Sequence, residues 1–149
     1  MSQEKPVLIY DCTLRDGTQG ENISLSVPDK IRIAERLDDF GIHYIEGGWP
    51  GSNPKDAEFF EKAVERSWAK SKIAAFGSTR HWKNTVEGDP NIRALLDART
   101  PVVTLVGKSW DFHVHHALGI ELDQNIQIVG ESVYYLKQHD KEVVFDAEH

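Results

Sequence analysis

Short runs of apolar residues recur along the chain at residues 6–10 (P-V-L-I-Y), 43–46 (H-Y-I-E), 72–76 (K-I-A-A-F), 102–106 (V-V-T-L-V) and 142–145 (E-V-V-F). Runs of this length without strict alternation fit strands buried on both faces, as in a parallel sheet. Between them the period changes to that of a helix. Ile31, Ala34, Leu37 and Phe40 recur every third residue, Ser26 and Asp29 have capping spacing, and Gly41 stands where a glycine ends a helix. Pro54 opens a second helix through Phe59, Phe60, Ala63 and Val64, and a third centres on Ile92, Leu95 and Leu96. A fourth covers residues 122–139, with Ile126, Val129, Val133 and Leu136 on one face.

Five strands alternating with four helices specify an α/β chain with a parallel sheet and right-handed crossovers. An open doubly wound sheet and part of an eight-stranded TIM (β/α)8 barrel both satisfy that pattern. Polar residues favour the barrel, because they gather after every strand: Arg15, Asp16 and Gln19, then Glu46, then Ser78 and Arg80, then Lys108 and Ser109, then Asp146, Glu148 and His149. In a barrel these ends converge on one face, whereas an open sheet uses one or two crevices. A full barrel needs eight strands and about 250 residues. The 149 residues here are therefore expected to be the N-terminal portion of a TIM-barrel catalytic domain, a truncated partial barrel lacking the later strands and any C-terminal domains.

Composition narrows the function. Hydrophobic residues make up 40% and charged residues 28%, with a net charge of -7 and a pI near 5.4. The basic residues are scattered, which argues against a nucleic-acid or anionic-membrane partner. No apolar run approaches the roughly 18 residues of a membrane helix, and the polar start lacks a signal-peptide core. The single cysteine, Cys12, excludes an internal disulfide and a cysteine-based zinc site. These features predict a cytoplasmic protein.

The densest chemistry is D-C-T-L-R-D-G-T-Q-G at residues 11–20, directly after the first strand. A carboxylate there can bind a hard divalent cation while the adjacent guanidinium neutralises an oxyanion. An Arg–Asp surface pair beside a glycine turn has the same spacing. Cys12 has no neighbouring histidine and no Cys–His motif, so it is not read as a nucleophile. Four tryptophans, Trp49, Trp68, Trp82 and Trp110, are read mainly as loop packing, with Trp49 and Trp110 the better candidates for ligand contact.

The decapeptide resembles the L-R-D-G-x-Q signature of the acyl-CoA-dependent 2-oxo-acid condensing enzymes, the 2-isopropylmalate, homocitrate and citramalate synthase family. Similarity continues through Y-I-E-G-G-W-P-G-S-N-P-K-D (residues 44–56), A-F-G-S-T-R (75–80), L-V-G-K-S-W-D-F-H-V (105–114) and F-D-A-E-H (145–149), and is greatest to the citramalate synthase branch. The resemblance implies a TIM barrel and a metal-dependent Claisen condensation. Acetyl-CoA as co-substrate would attack pyruvate and release CoA, in isoleucine biosynthesis. 2-Isopropylmalate synthase, with 2-oxoisovalerate as acceptor, is the alternative.

By the same resemblance, Arg15 matches the arginine that stabilises the enolate or alkoxide oxygen, and Asp16 the carboxylate that binds Mg or Mn. Gln19 lies near the metal, Glu46 lines the substrate side, and Glu148 is a catalytic acidic residue near the substrate. Asp146, Arg80 and Lys108 are assigned to substrate binding. The family's His-x-His metal pair lies on a later strand, so His113-x-His115 is read as a polar loop rather than as ligands. A homo-oligomer, a dimer, is expected. A second reading is a catalytically inert half-barrel that associates through the unpaired edges of its first and fifth strands.

Overall fold

The computed structural model describes residues 6–149. Five strands, β1 (Tyr10–Asp11), β2 (Tyr44–Gly48), β3 (Lys72–Ser78), β4 (Val102–Lys108) and β5 (Glu142–Glu148), form one parallel sheet in the order β1-β2-β3-β4-β5. The main crossover helices are α1 (Val27–Phe40), α2 (Pro54–Ala63), α3 (Pro90–Asp97) and α5 (Leu122–Gln138). A strand order that never reverses, joined by right-handed crossovers, keeps the helices on one face, as in a barrel and unlike a doubly wound sheet.

Strand residues divide between two faces with period two. Ile45, Ile73, Ala75, Val103 and Leu105 belong to the core that also contains Ile31, Phe59, Phe60, Leu95 and Leu136 of the helices. The alternate residues, among them Tyr10, Glu46, Phe76, Thr104 and Lys108, face the concave side. That side is the half-barrel's interior.

Local chemistry explains where the helices start. Ser26 and Asp29 form a reciprocal capping box at α1, and Gly41 ends that helix at φ 97°. Asn53 and Asp89 accept backbone N–H groups at the starts of α2 and α3, each followed by proline at the first turn.

Several expectations need correction. Residues 6–10 were expected to form a strand buried on both faces, but only Tyr10 enters the described ladder, and Val7, Leu8 and Ile9 are 85%, 52% and 50% exposed. They lie at an open sheet edge, where nothing packs on the second side. Phe40 and Ile126 are exposed as well, at 81% and 68%. In α5 the buried stripe is Ile128, Ser132 and Leu136, rotated from the expected stripe because a serine takes a core position. Ser132 Oγ donates to the Ile128 carbonyl, which satisfies it there. A short fifth helical element was also not anticipated: α4 (Asp111–His113) runs into a π-turn at Val114–Leu118. Finally, Ser78, Lys108 and Glu148 are the last residues of longer strands, and Asp146 lies within β5, rather than in loops.

Two contacts hold the β2 region in place. Opposite Ala74 and Ala75 of β3, β2 places Glu46 and Gly48, so Gly47 is the extra residue of a bulge. A Cβ at Gly47 would lie 3.0 Å from Phe60 Cε1 and closer still to the fully buried Phe59. Asp38 accepts the backbone N–H groups of Ala69, Lys70 and Ser71 at 2.7–2.9 Å, which ties α1 to the loop before β3. Burial opposes its ionisation, but these three amides prevail and hold its carboxyl below the ordinary carboxylate range.

Gly47→Ala is expected to lower stability by about 1–3 kcal/mol through overpacking, seen as a lower urea midpoint with an unchanged slope. Asp38→Ala is expected to cost about 3 kcal/mol at neutral pH, since it strands buried amides. A carboxyl whose folded pKa is depressed contributes stability above its unfolded pKa and loses it as pH falls through the folded value. The gap between wild type and Asp38→Ala should therefore narrow in acid, and urea titrations across that range would measure it.

Candidate active site

The loop after β1 is a tight turn on one acceptor. The N–H groups of Arg15, Asp16 and Gly17 all donate to the Cys12 carbonyl, at 2.9–3.2 Å. Leu14, with no exposed surface, plugs the helix-side core, and this anchor directs Arg15 over the concave face.

Arg15 is held by three groups. Its Nε donates to Glu46 Oε1 at 2.6 Å, its Nη1 donates to Asp16 Oδ1 at 3.1 Å, and its guanidinium carbon sits 3.9 Å above the Phe76 ring. Nη2 has no protein partner among the described residues. Glu46 is 1% exposed, and its other carboxylate oxygen accepts the Tyr10 hydroxyl. That phenol spends its only proton on Glu46, so at 2.6 Å Thr104 must donate to the Tyr10 oxygen. Burial first, and then the Glu46 charge, push the Tyr10 hydroxyl well above its ordinary pKa of 10.0. Glu46 thus has two donors, one of them cationic, as a buried carboxylate requires.

A cleft of about 440 Å³ opens in front of this group. Its lining combines polar residues, Arg15, Asp16, Gln19, Lys108 and Glu148, with apolar ones, Trp49, Phe76, Val106 and Leu118. Lys108 Nζ donates to Glu148 Oε2, and this bond holds the Glu148 carboxyl below its usual range. Glu148 is therefore ionised at neutral pH. Asn125 fixes the end of β4 by donating to the Lys108 carbonyl at 2.9 Å.

The structure brings Arg15, Asp16, Gln19, Lys108 and Glu148 to one cleft, with Glu46 beneath Arg15 rather than in the lining. Arg80 lies elsewhere. Its guanidinium binds Glu131 at 2.7 Å and the carbonyls of His81 and Asn84. Asp146 is exposed near the end of β5, outside the cleft lining. His113 and His115 are two residues apart on a helical segment, about 200° around its axis. His113 packs against Trp110 at 4.8 Å between ring centroids, while His115 is exposed. Partial burial, then the Glu46 and Asp16 charges, push the Cys12 thiol up, which leaves it protonated at neutral pH.

Residues not anticipated from sequence are Tyr10, Thr104, Phe76 and Leu118. Thr104 carried one signal, as the lone polar residue within V-V-T-L-V. For a divalent metal, Asp16 and Gln19 supply hard oxygen donors at the cleft mouth, and the Asp16 side chain is 57% exposed. This suits one or two positions of an oxygen-rich shell. No group of three His, Cys, Asp or Glu side chains suited to a metal occurs among the described residues.

Parallel strands in sequential order define this chain as part of a TIM barrel, with the cleft at the C-terminal ends of its strands. The chain belongs to the HMGL-like family, whose model matches residues 6–149. It is 57% identical over 143 residues to the (R)-citramalate synthase of Aquifex aeolicus and 56% identical over 143 residues to that of Geobacter sulfurreducens. Each match covers 96% of this chain, and the chain spans 27% of the length of either relative. Identity to the 2-isopropylmalate synthase of Prochlorococcus marinus is 32% over 147 residues, 95% of this chain and 26% of that relative. Hydroxymethylglutaryl-CoA lyase from Pseudomonas aeruginosa shares the fold, with a TM-score of 0.69 at 22% identity over 97% of this chain and 47% of that one.

Glu46→Gln removes the charge that opposes Tyr10 ionisation while burial persists. The Tyr10 titration, followed by the NMR shift of its ring carbons, is expected to move down toward, but not reach, 10.0. An unchanged titration would show that Glu46 does not control this phenol.

Proposed function

We propose that this chain is the N-terminal part of the catalytic barrel of a citramalate-synthase-type acyltransferase, acting in isoleucine biosynthesis. The reaction condenses acetyl-CoA with pyruvate: the acetyl methyl loses a proton, its carbon bonds to the keto carbon, and water cleaves the thioester to release CoA. The observation that carries the reading is Arg15, fixed by Glu46, Asp16 and Phe76, with Nη2 left for an anion beside Asp16. A guanidinium already oriented offsets charge that develops on an oxygen without reorganising as the reaction proceeds. Identities of 48–57% to curated (R)-citramalate synthases, against 32% to 2-isopropylmalate synthases, support pyruvate over 2-oxoisovalerate as acceptor.

Asp16 would hold a divalent Mg or Mn ion, with Gln19 beside it. When bound, the ion supplies Lewis-acid polarisation of the keto group. Glu148, bonded to Lys108, is the catalytic carboxylate of the cleft, and Lys108 also draws the acceptor's carboxylate. Glu46 acts through Arg15 as a positioning residue. The protein works in the cytoplasm as a homodimer; among the described residues no helix is long and apolar enough to cross a membrane.

The test replaces the matching segment of the Aquifex aeolicus enzyme with this chain. CoA thiol release is expected with pyruvate and not with 2-oxoisovalerate, and Arg15→Ala should lower kcat by about 10²–10³. Release with 2-oxoisovalerate alone, or an Arg15→Ala variant of full activity, would overturn the reading.

A further inference from the structure

Trp49 is held at both its backbone and its side chain. Its backbone N–H donates to Asp56 Oδ2 at 2.9 Å, and the other Asp56 oxygen accepts the buried Lys30 Nζ at 2.5 Å. Its indole Nε1 donates to Asn91 Oδ1 at 2.8 Å, while Asn91 Nδ2 donates to the Ser78 carbonyl at 2.5 Å. The indole meets Phe76 edge to face, with ring centroids 5.4 Å apart and planes at 78°. Phe76 is the ring that seats the Arg15 guanidinium. The indole is thus locked against the support of the charged group that would bind the acceptor.

Trp49, Phe76, Val106 and Leu118 are the large apolar residues of the cleft lining. An acid whose carboxylate and keto oxygens engage Arg15, Asp16 and Lys108 leaves its remaining substituent to these apolar residues. Phe76 cannot retreat without unseating Arg15. Leu118 ends a π-turn just before Gly119 at φ 67°, so it belongs to a connecting segment rather than to the sheet. With its backbone tied to α2 through Asp56, the Trp49 indole cannot swing aside without breaking its hydrogen bond to Asn91 of α3 and the ring contact.

We propose that Trp49 is the specificity-determining residue of this cleft, its anchored indole limiting the acceptor to 2-oxo acids with a methyl-sized substituent. The inference rests on the condensation reading above and deepens it. A hydrophobic wall discriminates one methylene by about 10- to 200-fold, so opening it should produce a shift of that order.

Binding of pyruvate and of 2-oxoisovalerate to the 149-residue chain, with Mg present, can be read by calorimetry and by the Trp49 indole N–H resonance. Wild type is expected to bind pyruvate in preference, with the indole resonance shifting. Trp49→Ala should move the preference toward 2-oxoisovalerate by about 10- to 200-fold. Trp49→Phe, which keeps a ring on Phe76, should remain folded and move it less in the same direction. An unchanged preference in both variants, with pyruvate still bound by wild type, overturns the role of Trp49 and leaves the proposed reaction standing. Failure of wild type to bind either acid overturns the role of Trp49, while the reaction is judged separately by CoA release from the hybrid enzyme.

Discussion

A carboxylate with almost no contact with water lies at the centre of this structure. Glu46 is 1% exposed on the concave face of a parallel sheet, where an uncompensated charge would cost several kcal/mol. It persists because Arg15 and Tyr10 donate to its two oxygens, and Thr104 completes the chain of donors. Each partner comes from a different element: Tyr10 from β1, Arg15 from the loop that follows, Thr104 from β4. Compensating one charge therefore fixes β1, β2 and β4 relative to one another. The same network aims a guanidinium at the cleft.

Around that network, loops that would otherwise move are tied to rigid elements. Asp56, in the first turn of α2, takes both a buried lysine and the Trp49 amide. Asn91, in the first turn of α3, spans the Trp49 indole and the end of β3. Asp89 caps α3 and also accepts from His81 and Asn84. A side chain serving both a helix start and a loop stiffens the strand ends, where a barrel enzyme needs its functional groups held to within fractions of an ångström.

The sheet has two open edges, which explains both where apolar surface remains and why part of the candidate chemistry stays incomplete. Val7, Leu8 and Ile9 flank β1, and Phe145 of β5 is 38% exposed. Asp16 and Gln19 offer oxygen donors at the cleft mouth, yet no three ligating side chains converge among the described residues. The chain matches 47% of a lyase barrel that shares its fold.

Much of this was legible in the sequence. Local rules fixed the alternation of strands and helices, the cap at Ser26, the opening of α2 at Pro54, and the placement of Arg15 and Asp16 after β1. Such features depend on period, turn residues and side chains a few positions apart, all of which one stretch of chain encodes. Tertiary structure alone decided that Glu46 lies under Arg15 and that Tyr10 stays protonated. It alone brought Phe76 and Trp49 together, turned Arg80 to Glu131, and gave Ser132 a core position in α5. These outcomes join residues 31, 36, 51 or 94 positions apart. Whether a charge finds a ring, a phenol or water is set by which strands become neighbours, and hydrophobic periodicity says nothing about that.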